Sequence, residues 1–269
     1  MKMNPYIFAA AIAASILCSC EKELDFKYHD IEPITVIEGE LTPEGAKVRI
    51  TYTTPMDEPM DKTPLTDADV TLRDLTTGET RILHPDSEGY FRDNTPGIDR
   101  HEYSLTVARN GHSYEAHTTM YSPSEILDLS FSWIRMPYDD VAVLKGEYLD
   151  DEAIEGDCYW IKIFRNGKIY SWGEADDRSS LDGVLNFVTM TTRRDTEQED
   201  EESALYDGDE ITVSICRISR PMHDYLEALQ NDSNGPAMFE GDFCLGYFMA
   251  TSPVSETIVF HPDQITESE

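Results

Sequence analysis

Two residues, Asn110-Gly111, constrain this chain more tightly than any other feature. They sit between two alternating runs, YSLTVAR and HSYEAHT, within residues 103–118. Asn-Gly supplies the two left-handed residues of a type I′ turn, whose twist suits a two-residue β-hairpin. That turn leaves one register open. Val107 faces Tyr114, Leu105 faces Ala116 and Tyr103 faces Thr118. Ala108–Ser113, Thr106–Glu115 and Ser104–His117 occupy the other face. The first set is mainly apolar and the second mainly polar, so turn chemistry and side-chain pattern agree on one pairing.

A second Asn-Gly, Asn166-Gly167, repeats the arrangement in YWIKIFRNGKIYSW, residues 159–172. It pairs Ile163 with Tyr170 and Ile161 with Trp172, a strongly apolar face. The opposite face holds Trp160 and Phe164 beside Lys162 and Ser171, half apolar, so it is either covered or used for binding. Further short alternating runs, separated by Pro, Gly, Asp and Asn, extend from PITVIEGEL at residue 33 to ETIVF at residue 256. Such spacing predicts an all-β sandwich or barrel. We expect two β-sandwich-like domains of immunoglobulin or transthyretin type, 33–120 and 124–262, joined at Tyr121-Ser122-Pro123-Ser124. A single sheet system running across the joint is the alternative. One helix is expected near 221–230. Pro221 suits an early helical position, and Met222, Tyr225, Leu226 and Leu229 make a one-face stripe.

The first 19 residues have another logic. Lys2 precedes a twelve-residue apolar run, Tyr6 to Leu17, too short for a span of about 20 residues and shaped like a secretory signal. Leu17-Cys18-Ser19-Cys20 resembles the bacterial lipobox, in which the last cysteine is lipidated and becomes the first mature residue. Cys18 is a poorer candidate because Leu17 stands where a small residue is needed. The expected order is a signal peptide over 1–19, then a lipidated tether over 20–32 anchored through Cys20 to outer-membrane lipid.

The chain carries 53 acidic and 21 basic residues, a net charge of −32. Nucleic-acid binding leaves a basic footprint, so that partner is excluded. Of five cysteines, Cys158, Cys216 and Cys244 remain after the tether and sit in strand-like runs as expected buried thiols. The seven histidines are scattered. His112 and His117 are five apart and point to opposite faces of a strand, so no joint metal site forms. No phosphate loop or nucleophile elbow occurs. The acidic runs Asp57-Glu58 with Asp61, Asp150-Asp151-Glu152 and Thr196–Glu202 read as solvated. We therefore expect a non-enzyme with no cofactor, no catalytic residue and no metal ligand.

Several stretches, taken in order, carry a resemblance: CEKELD after the lipobox, ITVIEGEL, ADVTLRD, EGYF, YSLTV…NGHSYEA, DGDEITVSICRISRPMHDYLEAL and LGYFMA. Together the chain resembles an outer-membrane lipoprotein family of Bacteroidota, catalogued as domain of unknown function 4249. The most specific part is Asp207 to Leu229. The chain departs from the pattern at Glu240-Gly241-Asp242-Phe243-Cys244, where an Asn-Ile-Gly-Gly-like stretch is expected. The resemblance implies genomic company with TonB-dependent transporters and supplies no catalytic residues. Glu21, Glu23 and Asp25 resemble the charged export tag of surface lipoproteins. The implied role is a lipid-anchored accessory binding or docking protein of the outer membrane, surface-exposed or periplasm-facing. The alternative is a structural or adhesive surface module without a small ligand.

Overall fold

The computed structural model describes residues 32–55, 59, 63–149, 156–176, 184–198, 204–233 and 235–267. Cys18, Cys20 and the charged stretch after them lie outside the described residues, as do Asp57, Glu58, Asp61, Asp150-Asp151-Glu152 and 199–202 of the last acidic run.

Seven strands come first: β1 (Thr35–Thr42), β2 (Gly45–Tyr52), β3 (Asp69–Asp74), β4 (Thr80–Pro85), β5 (Phe91–Asp93), β6 (Glu102–Arg109) and β7 (His112–Thr119). Next come β8 (Ile126–Ile134), β9 (Val141–Tyr148), β10 (Cys158–Arg165), β11 (Lys168–Asp176), β12 (Val184–Thr192), helix α1 (Arg193–Gln198), β13 (Glu210–Ile218) and helix α2 (Arg220–Gln230). The chain closes with β14 (Glu240–Gly241), β15 (Leu245–Ala250), β16 (Val254–Val259) and β17 (Thr266–Glu267). The protein is mainly β, as its pattern predicts. It has two α-helices and a 3-10 turn, Pro262–Gln264, among the described residues where one helix was expected; α1 takes in the first residues of the acidic run.

The first sandwich is one sheet folded on itself, in the order β14-β7-β6-β3-β4-β5-β2-β1-β15. Strand β4 makes the corner: Thr80 to Leu83 pair with β3, whereas His84 and Pro85 pair with β5. The two halves then meet face to face. Ile37, Leu41, Val48 and Ile50 from one half share a buried cluster with Val70, Leu72, Leu105 and Val107 from the other. Gly39 lets them close, because a Cβ there would stand 2.9 Å from the Leu105 side chain and 3.1 Å from Phe248. The second sandwich packs the sheet β11-β10-β13-β16 against β12-β9-β8-β17. Its core joins Phe131, Trp133 and Leu144 to Ile161, Ile163, Ile211, Val213 and Ile215.

The first hairpin has the predicted register at all six pairs, with Asn110 at φ 52° and Gly111 at φ 84°. The second has the predicted turn, Arg165 facing Lys168, but not the predicted ladder. A bulge leaves Tyr170 unpaired, so Ile163 faces Ser171, Ile161 faces Gly173 and Lys162 faces Trp172. An extra residue reverses the alternation beyond it. Tyr170 thereby stays against the inner core while Trp172 moves to the outer face beside Trp160, the two rings 6.4 Å apart and edge to face.

That outer face is covered. Ser219 caps α2 by accepting from the Met222 N–H, and Met222 and Leu226 bury against Cys158, Cys216 and Ile218. Leu229, the fourth residue of the expected stripe, is 48% exposed.

The boundary expected at 120–124 divides the chain but not the sheets, and the assignment of 240–250 to the second domain is corrected. Strand β14 pairs with β7, and β15 runs parallel to β1 from Val36–Leu245 to Leu41–Ala250. The reason is that β15 is apolar on both faces. Phe248 and Ala250 enter the first core, while Tyr247 and Met249 pack against α2 and the outer face of β10 and β13. A strand with two apolar faces is stable only between two layers. The Thr251 hydroxyl then donates to the Arg217 carbonyl at 2.9 Å, beside a buried Arg217–Asp157 ion pair, also 2.9 Å.

Candidate ligand cleft

Beside β7 the sheet leaves a gap. Even-numbered residues of β7 bond inward to β6, a phase continued by the Met120 N–H donating to the His101 carbonyl at 2.9 Å. Odd-numbered residues therefore present N–H and C=O outward. Ser113 uses both: its carbonyl accepts from the Asp242 N–H at 3.0 Å, and its N–H donates to the Asp242 carboxylate at 2.9 Å. Gly241 permits this approach, since it has φ 93° and a Cβ there would stand 2.4 Å from the Ser113 carbonyl. The stretch that departs from the family pattern is thus the clamp on this edge. Pairing with β14 ends at Glu115, and a Tyr121–Thr251 bridge closes the far end.

Between these closures opens a cleft of about 520 Å³, within the range of small-ligand sites. Its floor is the edge from Ala116 to Thr119. Its walls are Leu75 and Glu102 on one side and the start of α2 with Met238, Phe239 and Glu240 on the other. Glu102, Glu115 and Glu240 are exposed carboxylates around it. Among the described lining residues there is no Lys or Arg. His117 lies 3.6 Å from Glu115. Burial raises the Tyr121 hydroxyl above its ordinary pKa, aided by Cys158 and Asp157 and opposed by Arg217, so it stays protonated as a donor.

Two other clusters are weaker. Glu38, Glu40, Lys47, Arg49, Tyr90 and Tyr247 line a pocket of about 150 Å³, but several of its groups already have partners within the protein. Glu40 accepts from the Tyr247 hydroxyl at 3.2 Å and faces Lys162 at 3.6 Å, and Lys47 sits 4.0 Å over the Tyr90 ring. Burial holds the Tyr247 hydroxyl well above its ordinary pKa. On α2, ligand atoms of His223, Asp224 and Glu227 lie within 4.8 Å of one another. They surround the first turns of a helix, whose positive end opposes a cation.

Cys158, Cys216 and Cys244 are free thiols; the first two are buried in strands as expected, whereas Cys244 is half-buried and lies just before β15, and desolvation pushes its thiol up to about 12. His112 meets Asp242 at 3.3 Å while His117 meets Glu115, so the two rings serve different neighbours. No motif or spacing marks a ligand-binding residue. The hairpin register places Glu115 and His117 together on the polar face, with Glu102 one pair beyond Tyr103–Thr118, whereas Glu240 joins them only through the β14–β7 pairing. No helix among the described residues is long and apolar enough to cross a membrane.

A family profile described as "Domain of unknown function (DUF4249)" matches residues 21–257. No curated protein matches the chain. Among solved structures, a two-domain fibronectin type III segment from chicken tenascin is similar at 11% identity, covering 85% of this chain and 100% of its own, with a TM-score of 0.23. The chicken interferon gamma receptor alpha chain is similar at 8% identity, covering 69% and 88%, with a TM-score of 0.17. The fold is defined by the strand pairing.

Proposed function

The chain belongs to the family of domain of unknown function 4249, and on that footing we propose that it is a lipid-anchored accessory protein of a Bacteroidota outer membrane. Cys20 carries the lipid, Glu21–Glu32 form the tether, and the paired sandwiches capture a ligand or dock on a TonB-dependent transporter. The role is binding, not catalysis. The observation that carries the reading is the order of parts: a short apolar leader, Leu17-Cys18-Ser19-Cys20, a charged stretch, then a β body containing an open acidic cleft. One lipid chain anchors only marginally and stable tethering takes a second signal, so the reading requires more than one chain at Cys20. Fatty-acid labelling, fractionation and affinity isolation from outer membranes test it. Labelled protein in the outer membrane, lost in Cys20→Ala, with a transporter co-purifying, is expected. Unlabelled wild-type protein refutes the anchor, and isolation without a transporter refutes the partnership.

A second reading, a structural or adhesive module, draws on the β8–β9 hairpin tip, where Ile134, Met136 and Tyr138 are 39%, 52% and 97% exposed. Aggregated apolar side chains on a surface mark contact sites. Polar substitution of Met136 and Tyr138 that abolishes cell-surface attachment while leaving transport intact would favour it.

A further inference from the structure

We propose that the cleft beside β7 binds an extended, basic peptide segment of a partner protein, which adds to the sheet as a strand. This stands on the cleft alone and holds with or without the anchor.

The backbone of β7 is open along part of its edge. Open strand edges either are covered or recruit another strand. On β7 the outward groups of Ser113 are taken by Asp242, and β14 pairs only at Tyr114 and Glu115. By the same alternation, His117 and Thr119 direct their N–H and C=O into the cleft. The chain at 237–239 runs past this stretch without joining the ladder, leaving about 520 Å³ between. From Ala116 to Thr119 the window is roughly 14 Å long at about 3.4 Å per residue, room for about four residues of added strand.

Charge and shape also bear on the occupant. Glu102, Glu115 and Glu240 border the cleft, and no Lys or Arg lines it among the described residues. Leu75, Pro221 and Phe239 supply apolar wall. A strand seated here turns alternate side chains to opposite sides. An occupant that alternates basic and apolar residues places cations among the three carboxylates and apolar groups on the wall. A chain of net charge −32 draws such a segment and repels acidic ones.

The test uses the full chain in non-ionic detergent and a labelled, end-blocked hexapeptide alternating Lys and Val, read by fluorescence anisotropy. Saturable binding is expected, weakening with salt. N-methylation of the peptide bonds that face the edge removes main-chain donors and should weaken binding about tenfold or more. The combined variant Glu102→Gln, Glu115→Gln, Glu240→Gln should do the same and, being at exposed positions, keep its circular dichroism. Cys20→Ala should bind unchanged, which separates this inference from the anchoring role. No saturation up to about 1 mM, equal binding of the N-methylated peptide, or equal binding of a Glu-Val peptide overturns the proposal.

Discussion

Replacing Phe248 by alanine asks whether the two sandwiches fold as one unit. Phe248 lies in the C-terminal part of the chain, yet its ring is 3% exposed in the first core, packed with Ile37, Leu41 and Leu105. Truncating a buried Phe to Ala costs about 3–5 kcal/mol, since the transfer free energy is lost and a cavity stays behind. At about 2–4 °C per kcal/mol for a chain of this size, the midpoint should fall by roughly 6–20 °C. The assay has a built-in reporter. All three tryptophans, Trp133, Trp160 and Trp172, belong to the second sandwich, so their fluorescence does not report the first directly. The coupling path is short: the preceding residue, Tyr247, faces Trp160 with ring centroids 6.0 Å apart. Fluorescence and far-UV circular dichroism should therefore shift together in Phe248→Ala. A fluorescence transition that stays put while the dichroism transition splits would refute the reasoning. So would a total loss below about 1 kcal/mol, because a ring truly in the core cannot be removed that cheaply.

Gly246→Ala should be worse than its single methyl suggests, because Gly246 has φ 105° and a Cβ there would stand 2.0 Å from the Ile37 carbonyl; misfolded, insoluble protein is expected, and a soluble variant with native dichroism would count against the β1–β15 pairing. The three thiols should be nearly silent to a disulfide reagent at pH 8 and react on unfolding; for Cys244, at about 12, the thiolate fraction there is on the order of 10⁻⁴, and rapid labelling of native protein would contradict its burial. Asp74 is a pH sensor of the first sandwich. Burial works to raise its pKa, but the His101 ring at 2.8 Å and the N–H groups of Thr76 and Thr77 together hold it below the ordinary Asp value. Its contribution is thus present above the unfolded-state value and lost as pH falls through the lower folded one. Asp74→Asn should cost about 1–3 kcal/mol at neutral pH and progressively less in acid; a midpoint difference that stays constant from pH 7 into the acid limb would exclude this role.

Local chemistry made much of the fold readable. Asn110-Gly111 specified a turn whose register followed without further help, because both strands alternate cleanly and a slip of one residue would put Tyr103, Leu105 and Val107 in water. Asn166-Gly167 specified its turn equally well but not its ladder. There both faces of β10 are apolar enough to be buried, so alternation no longer penalises a shift, and the bulge at Tyr170 is settled by what packs on either side. The helix after Pro221 was visible from that proline and the stripe, whereas the Ser219 cap and the exposure of Leu229 were not. In the cleft, Glu115 and His117 were legible as neighbours, since one strand carries both, and Glu102 follows from the same hairpin register, one pair beyond Tyr103–Thr118. Glu240 comes from a separate segment with no spacing to link it.

By itself the sequence determined the fold class, the two hairpin turns, the position of α2 and the signature around Cys20, because each depends on residues within one or two turns of chain. Tertiary structure alone decided that β15 completes the first sandwich and that β14 stops short along β7 to leave a cleft. The physical reason is that FCLGYFMA is apolar on alternate residues of both phases. Such a strand is driven to bury two faces at once, but nothing within it says which two surfaces will close over it. That choice belongs to the parallel edge of β1 and the outer face of β10 and β13, which exist only once the rest of the chain has folded.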